Sequence, residues 1–234
     1  MKAPRGQNFL YQPAWVERVA EAVERCPKLL EIGGGPGALT ERLQGRAREF
    51  WVVESDRRLA EGLRQRFGDK VIEADILRLD LNQFGEGLSV AGNLPYYITS
   101  PILLHLFRHV ATVTTAVIMV QREVADRILA APGGRDFGLL SATTQYYARP
   151  ERIFDLPPSA FRPAPRVHST LLRLTMAPQA EALGVDSEGF MRFLRTAFAQ
   201  KRKQLGKRFG IALEARAEQL TLPQLAAVYR SLIV

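Results

Sequence analysis

With 234 residues, 47% of them hydrophobic, the chain is long enough for one full-sized domain and a small appendage. Its 32 Lys and Arg exceed its 24 Asp and Glu, and the net charge of +8 favours a polyanionic partner, nucleic acid or an anionic membrane surface. A single cysteine, Cys26, excludes an internal disulfide; there is no apolar signal segment at the start and no run near the roughly 20 residues of a membrane span, so a soluble cytoplasmic protein is expected.

Along the chain, short apolar runs alternate with helical patterns. Cys26 stands before Pro27 at what reads as a helix end, and KLLEIG (28–33) predicts a first strand that ends in glycines. ALTERLQG (38–45) has the helical period, and EFWVVES (49–55) reads as a second strand. Asp56 is placed to cap RRLAEGLRQRF, whose Leu59, Leu63 and Phe67 recur at a spacing of four. KVIEAD and LSVAGN read as two further strands. In SPILLHLFRHV, Ser100 is expected as the cap and Pro101 at the first helical position. TAVIMVQ is a fifth strand and REVADRILA a helix. This alternation predicts parallel βαβ units. RPERIFDLP and HSTLLRLT read as a late strand pair around the proline-rich FRPAPR, and residues 176–187 as a linker. Only helical patterns follow, the last opened by a capping box from Thr221 to Gln224. The expected architecture is α/β: a sheet with flanking helices over 1–177, and a small all-helical domain over 186–234.

The first strand runs into Gly33-Gly34-Gly35-Pro36-Gly37. Glycines let a backbone turn sharply and approach a ligand, and the following helix start favours an anionic group. The second strand ends at Glu54, about twenty residues on, where a carboxylate can accept from ribose hydroxyls. The third ends at Asp75, which can accept from an adenine amine. Together these residues predict a nucleoside-type ligand at the carboxyl edge of the sheet.

The fourth strand brings Asn93-Leu94-Pro95-Tyr96 to the same edge. An exocyclic amine on a base is a poor nucleophile because its lone pair is delocalised into the ring. Two acceptors taking its N–H protons localise that pair. The Asn93 side-chain oxygen is one, a carbonyl held by the Pro95 ring the other, and Tyr96 offers a stacking face. The stretch therefore reads as a site that methylates the nitrogen of a base drawn out of its stack.

With these residues in place, the chain resembles the ribosomal RNA small-subunit adenine dimethyltransferase family. The blocks that resemble it include RGQNFL (5–10), EIGGGPGALT (31–40), VVESD (52–56), GNLPYYITSP (92–101), FRPAPRVHSTLLRL (161–174) and AFAQKRKQL (197–205). The resemblance implies a Rossmann-like methyltransferase sheet and S-adenosylmethionine as methyl donor, with S-adenosylhomocysteine as product and no metal. It implies dimethylation of two adjacent adenosines in a hairpin near the 3′ end of small-subunit rRNA, on the immature small ribosomal subunit, by a monomer. It places cofactor contacts at Asn8, Leu10, Gly33, Gly35, Glu54, Asp75 and Asn93, and the base-handling site at Asn93, Leu94, Pro95 and Tyr96, with Phe161 opposite Tyr96. Tyr97 stands where the family often has Asn.

Two further features need a reading. His105 and His109 are one helical turn apart, but the apolar stripe of their helix leaves both largely off it and no third ligand is evident, so no metal site is expected. Arg192, Arg195, Lys201, Arg202, Lys203, Lys207 and Arg208 fall in a stretch, 189–213, without an acid. A solvated face ordinarily mixes signs, so these bases are expected to bind rRNA phosphates. A large-subunit rRNA methyltransferase and an assembly factor with vestigial catalysis are the competing readings. The intact Asn93, Tyr96 and glycine loop speak against the second.

Overall fold

The leucine- and valine-rich runs that stop at glycine or an acid become the central strands, because only a strand covered on both faces tolerates continuous apolar side chains. The structure, a computed structural model, describes residues 8–199 and 204–233. Its elements are β1 (Phe9–Leu10), α1 (Pro13–Ala22), β2 (Cys26–Ile32), α2 (Ala38–Leu43), β3 (Ala47–Glu54), α3 (Arg57–Phe67), β4 (Val71–Glu73), β5 (Leu88–Asn93), α4 (Thr99–Arg108), β6 (Val113–Gln121), α5 (Arg122–Leu129) and α6 (Leu139–Tyr147). They continue with β7 (Ala148–Leu156), β8 (Phe161–Arg162), β9 (Ser169–Met176), α7 (Ala180–Leu183), α8 (Ser187–Phe198), α9 (Leu205–Phe209) and α10 (Leu222–Leu232).

One seven-stranded sheet has the order β4-β3-β2-β5-β6-β9-β7. β4, β3, β2, β5 and β6 run parallel, and β9 is antiparallel to β6. From β2 the chain winds outward through β3 to β4, then returns to β5 on the other side. The carboxyl ends of β2 and β5 therefore flank the point where the winding reverses, the place where open α/β sheets bind ligands. The two strands approach closely there: a Cβ on Gly92 would lie 2.5 Å from the Ile32 carbonyl oxygen. A separate two-stranded ribbon pairs β1 with β8, matching Phe9 to Arg162 and Leu10 to Phe161.

The chain divides into two compact units. One reaches Ala125 and resumes over Glu151–Met176; the other comprises Asp126–Pro150 and the residues from Ala177 on. The sequence reading splits the chain at 177 and 186, whereas Asp126–Pro150 groups with the C-terminal helices. The reason lies in its side chains: Phe137, Ala142 and Tyr146 share a core with Phe190, Leu194 and Tyr229.

Several local expectations need correction. Cys26 begins β2, paired with Ala47, rather than ending a helix. Ser100 lies inside α4, which starts at Thr99 because a 3-10 turn over Tyr96–Ile98 runs straight into it. The segment read as a linker holds α7 and Asp186, whose carboxylate caps α8 by accepting from Gly189 N at 2.6 Å. His105 is buried, its Nε2 bonded to the Leu79 carbonyl at 3.0 Å, while His109 Nδ1 donates to the His105 carbonyl at 2.9 Å. A backbone carbonyl thus partners one nitrogen of each ring, which makes the burial of His105 tolerable. The expected caps at Asp56 and Thr221 are present.

Candidate active site

β2 ends in the glycine loop because three of its glycines adopt positive φ, 76° at Gly33, 54° at Gly35 and 87° at Gly37, which L side chains rarely adopt. A Cβ on Gly35 would also lie 2.8 Å from the Phe9 ring. Glu54, at the end of β3, braces the turn: its Oε2 accepts from Gly35 N at 3.0 Å and its Oε1 from Asp56 N at 2.9 Å. Asp75 accepts from Leu77 N at 3.0 Å, holding the loop after β4.

An open cleft, about 740 Å³ when the solvent space at its mouth is included, lies over this edge. Its walls bring together the predicted Asn8, Gly33, Glu54, Asp75, Asn93, Leu94, Pro95 and Tyr96. Leu10 is buried beside a smaller adjoining cavity, which Gly33 and Asn93 also line. Gly35 faces neither cavity; its amide is taken by Glu54. Phe161 is only 2% exposed and does not line the cleft: it packs in the core with Leu10, Leu156, Ala160 and Leu171.

The Asn93 amide has a fixed orientation. Its Nδ2 donates to the Asn8 carbonyl at 2.7 Å, which leaves Oδ1 as the acceptor of a side chain that lines the cleft. The Pro95 carbonyl is already occupied, accepting from Ile98 N at 3.1 Å and Thr99 Oγ1 at 3.3 Å. The Leu94 carbonyl accepts from no group among the described residues, so it is the backbone acceptor left over beside Asn93 Oδ1. Tyr96 is held by Ser169, hydroxyl to hydroxyl at 2.8 Å. Burial raises the Tyr96 phenol above its ordinary value while the Ser169 bond pulls it down, so the hydroxyl is protonated at neutral pH.

Sequence reasoning passes over two groups. Glu31, 1% exposed on β2, lines the smaller cavity, and its Oε2 has no hydrogen-bond partner. Burial pushes its carboxyl up to about 8, and the charge of Glu54 adds to the rise. The signal is present, since an acid interrupts the apolar run KLLEIG. Ser169 has no comparable signal; only the fold brings it to Tyr96.

The cleft is acidic in a basic chain, and its carboxylates sit where a cationic ligand rich in hydroxyls and amines would find acceptors. S-adenosylmethionine fits this donor and acceptor set: Glu54 and Asp75 offer carboxylate oxygens, and the loop after β2 turns with no Cβ at Gly33, which lines the cleft. Among the described residues, no group of three or more His, Cys, Asp or Glu is placed to hold a metal ion.

In the other unit, Arg195 and Lys207 are exposed. Arg192 is not free, as it pairs with Glu188 one turn earlier on α8. Arg208 is half-buried. Lys201, Arg202 and Lys203 lie outside the described residues.

The sheet order, the glycine-ended β2 and the Asn-led turn at the end of β5 define a Rossmann-like methyltransferase fold. A dimethyladenosine transferase from Plasmodium falciparum has the same fold, with a TM-score of 0.82 over 97% of this chain and 98% of that one at 21% identity. The crystal structure of the 23S rRNA methyltransferase ErmE superposes with a TM-score of 0.72 at 25% identity, over 97% of this chain and all of that one. Among curated relatives, the ribosomal RNA small subunit methyltransferase A of Acidobacterium capsulatum is 48% identical, covering 99% of this chain and 91% of its own. The protein of the same name from Koribacter versatilis is 44% identical, over 99% and 94%. The sequence profile described as ribosomal RNA adenine dimethylase matches residues 1–228. The chain belongs to the ribosomal RNA adenine dimethylase family.

Proposed function

We propose that this protein transfers methyl groups from S-adenosylmethionine to the N6 amines of two adjacent adenosines in a hairpin near the 3′ end of small-subunit rRNA, dimethylating both. The observation that supports it best is the Asn93 amide, pinned through Nδ2 to the Asn8 carbonyl so that Oδ1 is left to accept from an amine. The small-subunit name of the relatives at 48% and 44% identity favours this target over large-subunit rRNA.

When bound, S-adenosylmethionine supplies a methyl group activated on a sulfonium, and S-adenosylhomocysteine is what remains. Glu54 and Asp75 hold its nucleoside end and the loop through Gly33 and Gly35 shapes its seat, with Asn8 and Leu10 on the neighbouring wall. The flipped adenine stacks on Tyr96. Asn93 Oδ1 and the Leu94 carbonyl each accept one N6–H, which localises the nitrogen lone pair towards the donor. Pro95, whose nitrogen is bonded to the Leu94 carbonyl carbon, restricts the backbone that aims this second acceptor. No side chain is needed to remove the proton before attack, because the nitrogen loses it readily once it is cationic. Phe161 reaches the opposite face of the base only if β8 shifts it out of the core.

Arg192, Arg195, Lys201, Arg202, Lys203, Lys207 and Arg208 contribute phosphate contacts, which position the RNA and carry no sequence information. The enzyme acts as a cytoplasmic monomer on the immature small subunit; no helix among the described residues is long and apolar enough to cross a membrane. Mass spectrometry of rRNA from cells with the gene deleted and restored tests the reading. Two N6,N6-dimethyladenosines in small-subunit rRNA should vanish and return with the gene. Their persistence in the deletion strain would refute it.

A further inference from the structure

We propose that Tyr11 and Arg162 form a docking site for the nucleotide next to the one being methylated, with the base on the open face of Tyr11 and its phosphate on the Arg162 guanidinium. This rests on the reading of rRNA as the substrate. Tyr11 follows β1 directly, and the two residues before Leu10, Asn8 and Phe9, line the cleft. Its position is fixed, since Tyr11 N and Gln12 N both donate to the Ala160 carbonyl, at 3.1 and 3.4 Å. Across the ribbon, Arg162 is the register partner of Phe9, and its Cζ lies 5.3 Å from the centre of the Tyr11 ring.

The pair has the properties of a recognition platform rather than a packing contact. Tyr11 is 46% exposed, and Arg162 is exposed and forms no ion pair among the described residues. A guanidinium over one face holds the ring flat and leaves the other face free to stack. The surrounding chain is purely basic: between Asp155 and Glu181 there is no acid, while Arg162, Arg166 and His168 all fall on the proline loop. A single-stranded polyanion with exposed bases matches such a site, because bases stack on aromatics and phosphates pair with arginine. The neighbour of a flipped base has lost a stacking partner, and the Tyr11 ring, two residues along from the cleft-lining Phe9, replaces it.

Steady-state kinetics on undermethylated small subunits, together with cofactor calorimetry, test the site. Tyr11→Ala is expected to raise the KM for RNA about tenfold, with the effect falling on KM more than on kcat, and Tyr11→Phe to stay within about twofold of wild type. Arg162→Ala should raise the same KM and flatten the log–log salt dependence of RNA binding by about 0.7, the value for one single-strand phosphate contact. Tyr11→Ala should not flatten it. A Tyr11→Ala enzyme with wild-type KM for RNA and intact cofactor affinity would overturn the site while leaving the rRNA reading standing. A wild-type protein that fails to methylate small subunits would overturn both.

Discussion

Asn93 shows how much depends on one amide. In the proposed mechanism an amide turned the other way would present a donor to the adenine amine, and the donation from Nδ2 to the Asn8 carbonyl opposes that turn. Asn93→Ala should lower single-turnover methyl transfer by about 100- to 1,000-fold or more, the usual cost of losing one preorganised polar contact in a transition state. Cofactor and RNA affinity should be retained, since neither depends mainly on this side chain. Glu54→Ala removes a buried acceptor that also braces Gly35 and Asp56, and should weaken S-adenosylmethionine binding by about 1.5–3 kcal/mol. Calorimetry on the folded variant checks this. Glu31 supplies a pH dependence. Its folded carboxyl is pushed up to about 8 against 4.5 in the unfolded chain, so between these values the folded state keeps a proton that the unfolded chain gives up, and the stability of the fold, complete below about 4.5, declines as pH rises to about 8. The stability of Glu31→Gln relative to wild type should therefore increase between pH 5 and pH 8, by about 2–4 kcal/mol. Thermal melts at the two values read it, and a gap independent of pH would contradict the buried neutral carboxyl.

At the scale of elements, the glycine loop is a geometric device. Gly35 combines a φ of 54° with a Phe9 ring 2.8 Å from where a Cβ would stand. Gly35→Ala must displace either the loop or β1, and either movement disturbs the cleft that Phe9 lines. Cofactor affinity should fall at least about tenfold, checked by calorimetry beside a melting curve. The parallel strands and their edge are legible in the sequence because the apolar runs give way to glycine, acid or amide residues that line the cleft: Gly33, Glu54, Asp75 and Asn93. Other features are not legible because they depend on pairing between distant segments. β1 and β8 contain two residues each and have no period to read. Ser169 meets Tyr96 only because β9 lies beside β6. His105 looks polar on a helical projection, yet the Leu79 carbonyl gives it a partner that makes burial tolerable.

At the scale of the whole molecule, charge is unevenly placed: the cleft holds Glu54 and Asp75, and the smaller cavity beside it Glu31, while the chain carries a net +8. On the proposed function, the acidic cleft attracts a cationic cofactor and the basic remainder a polyanionic substrate. Charge reversal at Lys201, Arg202 and Lys203 should weaken small-subunit binding and leave cofactor affinity intact. It should also flatten the salt dependence of that binding by about 0.7–0.9 for each phosphate no longer neutralised. The domain boundary is hard to place from composition because Asp126–Pro150 has no compositional break before it, and only its aromatic core partners reveal its unit. The central claim is that the Asn93 site dimethylates adenosine in small-subunit rRNA. Its most direct test incubates purified protein, isotopically labelled S-adenosylmethionine and small subunits lacking the modification, then counts dimethyladenosine after nuclease digestion. The expected result is two N6,N6-dimethyladenosines per small subunit with the wild-type protein and none above background with Asn93→Ala. Methylation elsewhere than adenine N6, or equal incorporation by the two proteins, would contradict it.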